Sequence, residues 1–316
     1  MGFPIGLIGL LVLIGTASGV RADDVDPSVR SATRDDYRMT VETWNIRYDN
    51  PGDGRHAWPH RRVGVIDHLR RSGADVIALQ EVLPHQLTAI KAGLPEYDAF
   101  ARSRERDETR GEAVPILWRR DLWRLDAANA THFWLSETPE VPGSMSWETA
   151  CTRMVTVVRL VPVANDPATS RTPIWVCSVH LDHRGVDARL EGARLVRRRM
   201  EEMTADHPGE PVVLMGDFND RPQSPPVSAL CGPGEGAAYL DAWAAVTDRD
   251  AEAPVGTWNG WRLDARGRRI DLVLVRGLAV RAADILRPTN EAGPLSDHWP
   301  VRVVLGFAGD PAGASD

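Results

Sequence analysis

The chain has 316 residues, 43% of them hydrophobic and 26% charged, with 27 glycines and 23 prolines, a composition that excludes disorder, a collagen-like fibre and a membrane-filling protein. Acidic residues outnumber basic ones by 44 to 37, for a net charge of −7, so the overall field repels a polyanion and any phosphate or nucleic-acid contact has to be local. Cys151, Cys177 and Cys231 cannot all pair and show no metal-knuckle or redox spacing; Cys151 and Cys177 read as buried thiols on strands.

Along the chain, the first feature is an apolar run from Phe3 to Val20, broken by four glycines and followed by Val20-Arg21-Ala22 and two aspartates. It resembles a secretory signal peptide cleaved after Ala22, lacking only the basic residue usually found ahead of the run. The expected product is secreted or periplasmic, monomeric and without stable membrane insertion; the other reading is an uncleaved N-terminal anchor, for which the run is short. Residues 23–36 read as a flexible polar lead-in. One domain is expected over 37–306, because no linker or repeat interrupts the alternation of apolar runs and helical patterns.

Strands are expected at Met39 to Arg47, Val76 to Leu79, Ala113 to Trp118, Met154 to Val161, Ile174 to His180, Val212 to Gly216, Ile270 to Val275 and Val301 to Leu305, all rich in β-formers. A helix is expected from Val186 to Asp206, where Val186, Leu190, Ala193, Val196, Met200 and Met203 recur at steps of three and four. Arg197, Arg198 and Arg199 would then form a solvated face. The tail over 307–316 has no apolar period and is expected to fray.

Polar residues stand repeatedly where these strands stop. Asn45 follows Val41-Glu42-Thr43-Trp44, Glu81 follows Val76-Ile77-Ala78-Leu79-Gln80, and His180 ends Ile174-Trp175-Val176-Cys177-Ser178-Val179. Asp217 and Asn219 follow Gly216, Asp271 interrupts an apolar strand, and Asp297 and His298 precede Trp299-Pro300-Val301. Such placement costs stability unless it is used. Glu81, Asp217 and Asp297 converging on one spot would repel unless a cation sat among them, and oxygen donors without cysteine favour Mg²⁺, Mn²⁺ or Ca²⁺ over zinc.

The motifs Trp44-Asn45-Ile46-Arg47, Leu79-Gln80-Glu81-Val82, Ser178-Val179-His180-Leu181-Asp182, Gly216-Asp217-Phe218-Asn219, Arg269-Ile270-Asp271 and Ser296-Asp297-His298-Trp299-Pro300-Val301 resemble, in order, those of the endonuclease/exonuclease/phosphatase superfamily. That superfamily includes deoxyribonuclease I, exonuclease III, neutral sphingomyelinases, inositol polyphosphate 5-phosphatases and deadenylases. The resemblance implies a four-layered α/β sandwich, two mixed β-sheets face to face with helices outside, and a site at one open end. It implies Mg²⁺ or Mn²⁺ held by Glu81, with Asn45 and Asp297 as nearby ligands. Asp217 would activate the attacking water and Asn219 orient it. His180 and His298 would bind phosphoryl oxygens, with Asp271 holding His298. Arg47 stands where apurinic endonucleases carry an Asp, which argues against abasic-site activity. The segment Ser136 to Trp147, with His180-Leu181-Asp182-His183 and Thr152-Arg153, resembles a bacterial exported subgroup near the deadenylase-type exonucleases.

On the substrate side, Arg47, Arg55, Arg61, Arg102, Arg104, Arg106 and Arg153 are expected in loops rimming the site. Arg47 and Arg153 are the better candidates for phosphate, because each adjoins a strand reaching the site. Arg102, Arg104 and Arg106 alternate with acids and read as a solvated loop. Trp44, Trp58, Trp134 and Trp147 could stack a base or sugar, but among eleven tryptophans none is assigned. The leading expectation is a metal-dependent nuclease or phosphodiesterase. The alternatives are a phosphatase or phospholipase-type hydrolase on sugar phosphate, inositol phosphate or sphingomyelin-like headgroups, and a catalytically silent binding module.

Overall fold

A computed structural model describes residues 1–2, 38–163, 171–232, 238–247, 256–264 and 267–307. The expected leader beyond Gly2, the lead-in and the tail after Phe307 lie outside the described residues.

In chain order the chain forms β1 (Arg38–Asn45), α1 (Trp58–Ser72), β2 (Val76–Gln80), α2 (Pro84–Gly93), β3 (Tyr97–Phe100), β4 (Ile116–Arg119) and β5 (Trp123–Trp134). It continues with β6 (Met154–Pro162), β7 (Ile174–His180), α3 (Val186–Thr204), β8 (Val212–Asp217), α4 (Pro225–Cys231), β9 (Leu240–Asp241) and α5 (Ala242–Val246). It ends with β10 (Asp271–Arg276), β11 (Leu278–Ile285), the short β12 (Thr289–Asn290) and β13 (Gly293–Pro294), and β14 (Val301–Phe307). One six-stranded sheet has the order β11-β14-β1-β2-β4-β3 and the other β5-β6-β7-β8-β10-β9. Both are mixed: β1 runs parallel to β2, and β7 parallel to β8, while the other pairings are antiparallel.

The central strands β2, β7, β8 and β10 read as near-continuous apolar runs because both of their faces are buried. Val213 and Met215 join Met39, Val41 and Val76 in the core between the sheets. The alternate residues Val212 and Leu214 face outward onto Ala193, Val196 and Met200 of α3 and Val227 and Leu230 of α4. On the other sheet, Ile77 and Leu79 face Val65 and Leu69 of α1 and Ile90 of α2. The result is the expected four-layered sandwich, each fully buried Leu, Ile or Val contributing roughly 1.5–3 kcal/mol against leaving it exposed.

Three expectations need correction. The helix α3 buries Ala188, Leu195 and Thr204 as well as the Ala193, Val196 and Met200 stripe, while Val186 is 66% exposed, because the apolar stripe starts one turn into the helix. Arg197 is not on a solvated face: its guanidinium donates to the carbonyls of Ala229 and Gly232 and to Glu201, stitching α3 to the end of α4. Cys151 lies in the loop before β6 and is partly exposed, whereas Cys177 is buried in β7; all three thiols are free.

Candidate active site

Sheet register assembles the centre of the site. In the second sheet His180 of β7 pairs with Asp217 of β8, and Asp217 pairs with Asp271 of β10, so one row across three strands carries an imidazole and two carboxylates. Gly216 permits this row. Its φ is +149°, and a Cβ there would stand 1.9 Å from the Val179 carbonyl oxygen of the adjacent strand. In the first sheet Asn45 pairs with Gln80, which delivers Glu81 one residue beyond the strand with a left-handed φ of +62°. That conformation is costly for a residue with a Cβ, about 1–3 kcal/mol, and such strain collects at functional sites.

Asn45 joins the two sheets: its Nδ2 donates to Glu81 Oε1 at 3.0 Å and to Asp217 Oδ2 at 3.1 Å, while its Oδ1 accepts from the Arg47 amide. In this conformation Asn45 therefore braces carboxylates and does not present its oxygen to them. Tyr48 N donates to the other Glu81 oxygen at 3.1 Å. Arg47, also left-handed at φ +59°, is held bidentately by Asp53. Its remaining guanidinium nitrogen lies 3.9 Å from both Glu81 and Asp297. Burial opposes ionisation of Glu81, but the Asn45 hydrogen bond, the His298 charge and Arg47 hold its carboxyl below the usual range.

The two histidines differ in state. His298 Nδ1 lies 2.9 Å from Asp271 Oδ2, with both residues buried. Burial opposes its charge, yet Asp271 and Asp217 raise it well above the ordinary imidazole value. Burial and the charges of Arg153 and Arg104 push His180 well below that value, so it is neutral. Both rings turn Nε2 toward Asp217 Oδ2, at 3.4 Å for His180 and 3.9 Å for His298. Asp217 Oδ1 accepts from the Asn219 amide at 2.8 Å, and Asn219 Nδ2 donates to Leu181 O. Burial and the neighbouring Asp271 push Asp217 up to about 7.

Beneath Arg47 and Asp297 lies Arg61, expected at the rim but only 1% exposed on α1. Its guanidinium donates to the carbonyls of Ile46, Arg47 and Tyr48 after β1, of His56, and of Leu295 ahead of Asp297. Its planar faces meet the rings of Trp58 and Trp261. Ser296 Oγ adds a bond to Asn45 O.

Arg104, expected in a solvated loop, is instead mostly buried, with its side chain bidentate to Glu112 at 2.7 and 2.8 Å. It lines a recess with Glu81, Arg153 and His180. A hairpin places it there: Ser103 and Val82 both bridge to Ala113, tying the 101–113 loop to the chain just after Glu81. Arg153 is 5% exposed and donates toward His183 Nδ1 at 3.0 Å. Arg102 reaches Glu108 in the loop. Trp44, Trp58 and Trp134 are core residues, each under 4% exposed.

The donor set fits a hard divalent cation. Burial, and then the Glu81 charge, raise Asp297, as burial and Asp271 raise Asp217, so both carboxyls sit desolvated beside like charges. Arg47, whose charge is shared with Asp53, the buried Arg61 beneath Asp297 and the His298 imidazolium still leave the four carboxylates Glu81, Asp217, Asp271 and Asp297 in excess. Oxygen donors of this kind suit Mg²⁺ or Mn²⁺. Among the described residues, the close groupings of ligand-type side chains are Asp217, Asp271 and His298, and Cys151, Asp182 and His183; the second is crossed by the Arg153 guanidinium, 3.7 Å from Asp182.

Residues 43–298 match the model of the Endonuclease/Exonuclease/phosphatase family. The mannosyl-6-phosphatase of Bacteroides thetaiotaomicron superposes with a TM-score of 0.75 at 28% identity, covering 85% of this chain and 100% of its own. The endonuclease/exonuclease/phosphatase from Bacteroides vulgatus gives 0.75 at 28%, covering 86% and 99%. The probable RNA exonuclease NGL3 of Saccharomyces cerevisiae is 25% identical over 217 residues, 65% of this chain, and this chain spans only 42% of the yeast protein's length.

Proposed function

Because the chain belongs to the endonuclease/exonuclease/phosphatase family, whose members hydrolyse phosphoesters, we propose that it is a divalent-metal-dependent phosphatase acting on a small phosphorylated sugar. The observation that carries the hydrolytic part is the single row of His180, Asp217 and Asp271, closed by His298 returning onto Asp271. The substrate part rests on similarity to the mannosyl-6-phosphatase, which matches along its whole length.

Glu81 and Asp297, with Asn45 beside them, would hold Mg²⁺ or Mn²⁺. When bound, such an ion neutralises charge on phosphoryl oxygens and acidifies water. Asp217 takes the proton of the attacking water, and a carboxylate raised to about 7 is matched to that task near neutral pH. The imidazolium of His298 donates from Nε2 to a phosphoryl oxygen as charge builds there, while Asp271 keeps the proton on Nδ1. Neutral His180 supplies a second donor without adding charge. Arg47, 3.9 Å from Glu81 and Asp297, faces the same oxygens.

A second reading, a nuclease, is supported by the similarity to a protein named as a probable RNA exonuclease. The discriminating experiment measures phosphate release from hexose 6-phosphates, and cleavage of single-stranded RNA, with Mg²⁺ and with excess chelator. Asp217→Asn should lower kcat by about 10² to 10⁴, and Glu81→Gln should weaken Mg²⁺ binding by calorimetry. Turnover undiminished by chelator would sink the metal mechanism, and a preference for RNA would replace the sugar phosphate with a polynucleotide.

A further inference from the structure

We propose that Arg47 is a built-in cation that takes the place of a second divalent ion, so that the carboxylate cluster binds one Mg²⁺ or Mn²⁺ and not two. This rests on the metal-dependent reading above and fixes the number of ions it uses.

Phosphoester hydrolysis is served by one divalent ion or by a pair, and a pair needs carboxylates that two ions can share. The Arg47 guanidinium fronts two such carboxylates at once. Its Nη1 lies 3.9 Å from Glu81 Oε2 and 3.9 Å from Asp297 Oδ2. Its Nε and Nη2 are spent on Asp53, at 3.0 and 3.1 Å. The edge turned toward Glu81 and Asp297 is too distant for a hydrogen bond, yet near enough to attract both carboxylates and to repel a cation shared between them.

The guanidinium is held in this position from several sides. Arg47 is left-handed at φ +59°, a conformation uncommon for a residue with a Cβ. Its amide donates to Asn45 Oδ1 at 3.0 Å, and its carbonyl accepts from Arg61 Nη2 at 2.6 Å and from Gln86 Nε2 at 3.1 Å. Asp53 is fixed in turn by Asn50 Nδ2 at 3.0 Å, and the guanidinium lies over the Tyr48 ring, 4.6 Å from its centroid. A fork tethered this way keeps its charge at one point before any substrate arrives.

Charge then sets the number of ions. Glu81, Asp217, Asp271, Asp297 and Asp53 face Arg47, Arg61 and the His298 imidazolium, an excess of at most two negative charges. The neighbouring Arg104–Glu112 and Arg153–Asp182 pairs cancel internally. One divalent ion removes the excess. A second would leave the substrate-free site positive and would stand against the guanidinium.

The test titrates Mn²⁺ into substrate-free protein by calorimetry and follows it by electron paramagnetic resonance, which distinguishes an isolated Mn²⁺ from a coupled pair. Wild type should bind one ion, without coupling. Arg47→Asp, which exchanges the cation for a carboxylate on a backbone that Asp tolerates, should bind two. Arg47→Asn, neutral on the same backbone, should bind its first ion about tenfold more tightly than wild type. Two ions in wild type, or one ion in a folded Arg47→Asp, would overturn the proposal and leave the metal-dependent reading standing. If Arg47→Asp fails to fold by thermal melting, Arg47→Asn decides: an affinity no tighter than wild type would overturn it. Wild type that binds no ion removes the metal-dependent reading and this one with it.

Discussion

Gly216→Ala is the smallest change that tests whether sheet register builds this site. The new Cβ would lie 1.9 Å from the Val179 carbonyl oxygen and 2.9 Å from its carbon, and real Cβ atoms keep at least about 3.0 Å from such neighbours. The obstacle is the backbone of β7, held on both sides by β6 and β8, so no rotamer change relieves it. Strands β7 and β8 must separate by roughly 1 Å, and Ala must also accept a φ near +149°, together costing about 3 kcal/mol or more. For a domain of this size that lowers Tm by roughly 6–12 °C. Because His180 directly follows Val179, the same displacement moves its ring relative to Asp217, and an error near 1 Å costs about 10² in rate. Differential scanning calorimetry and kcat/KM on a hexose 6-phosphate measure both effects. A variant that melts within 2 °C of wild type and retains a third of its activity would refute the claim that this strand pairing sets the catalytic row.

Two further outcomes follow from buried partners. Asp271→Asn combined with His298→Ala should reduce kcat/KM little more than His298→Ala alone, since Asp271 acts through the ring it binds at 2.9 Å; losses that multiply would separate the two residues. His132 stacks on Phe100, and burial, then Arg102, pushes it down to about 4. The unfolded chain therefore takes up a proton below about 6.5 that the folded chain refuses until about 4, so this group erodes stability as pH falls across that window, by up to roughly 3 kcal/mol. In urea unfolding, His132→Gln should flatten the decline between pH 7 and 4.5 relative to wild type, and parallel curves would count against it.

The catalytic row was legible because His180 and Asp217 close apolar strands and Asp271 interrupts one, and a two-residue period fixes which neighbours share an edge. His180, Asp217 and Asp271 needed only strand order to meet. Arg104 and Glu112 were not legible: in the sequence they belong to a run of alternating charge, and only the hairpin closing at Ala113 turns two of them inward. Arg61 was hidden for a similar reason, since Pro59-His60-Arg61-Arg62 at a helix start looks like a basic surface turn. Its partners are carbonyls, which carry no side-chain signature. The strand β5 escaped notice because it is an edge strand whose middle, Asp126 to Thr131, is made of alanines and polar residues with no β-branched apolar side chain and is bulged away from β6.

The bonding of Arg61 divides labour within the protein. Its hydrogen bonds go to main-chain oxygens of three separate segments, so the chassis beneath the carboxylates does not depend on which side chains surround it. The loop from Ala101 to Ala113, in contrast, is tied to the chain after Glu81 through the bridges of Ser103 and Val82 to Ala113. Arg61 itself is the position where even a like-charged lysine, with a point charge in place of a planar fork, would unfasten both halves of the site together.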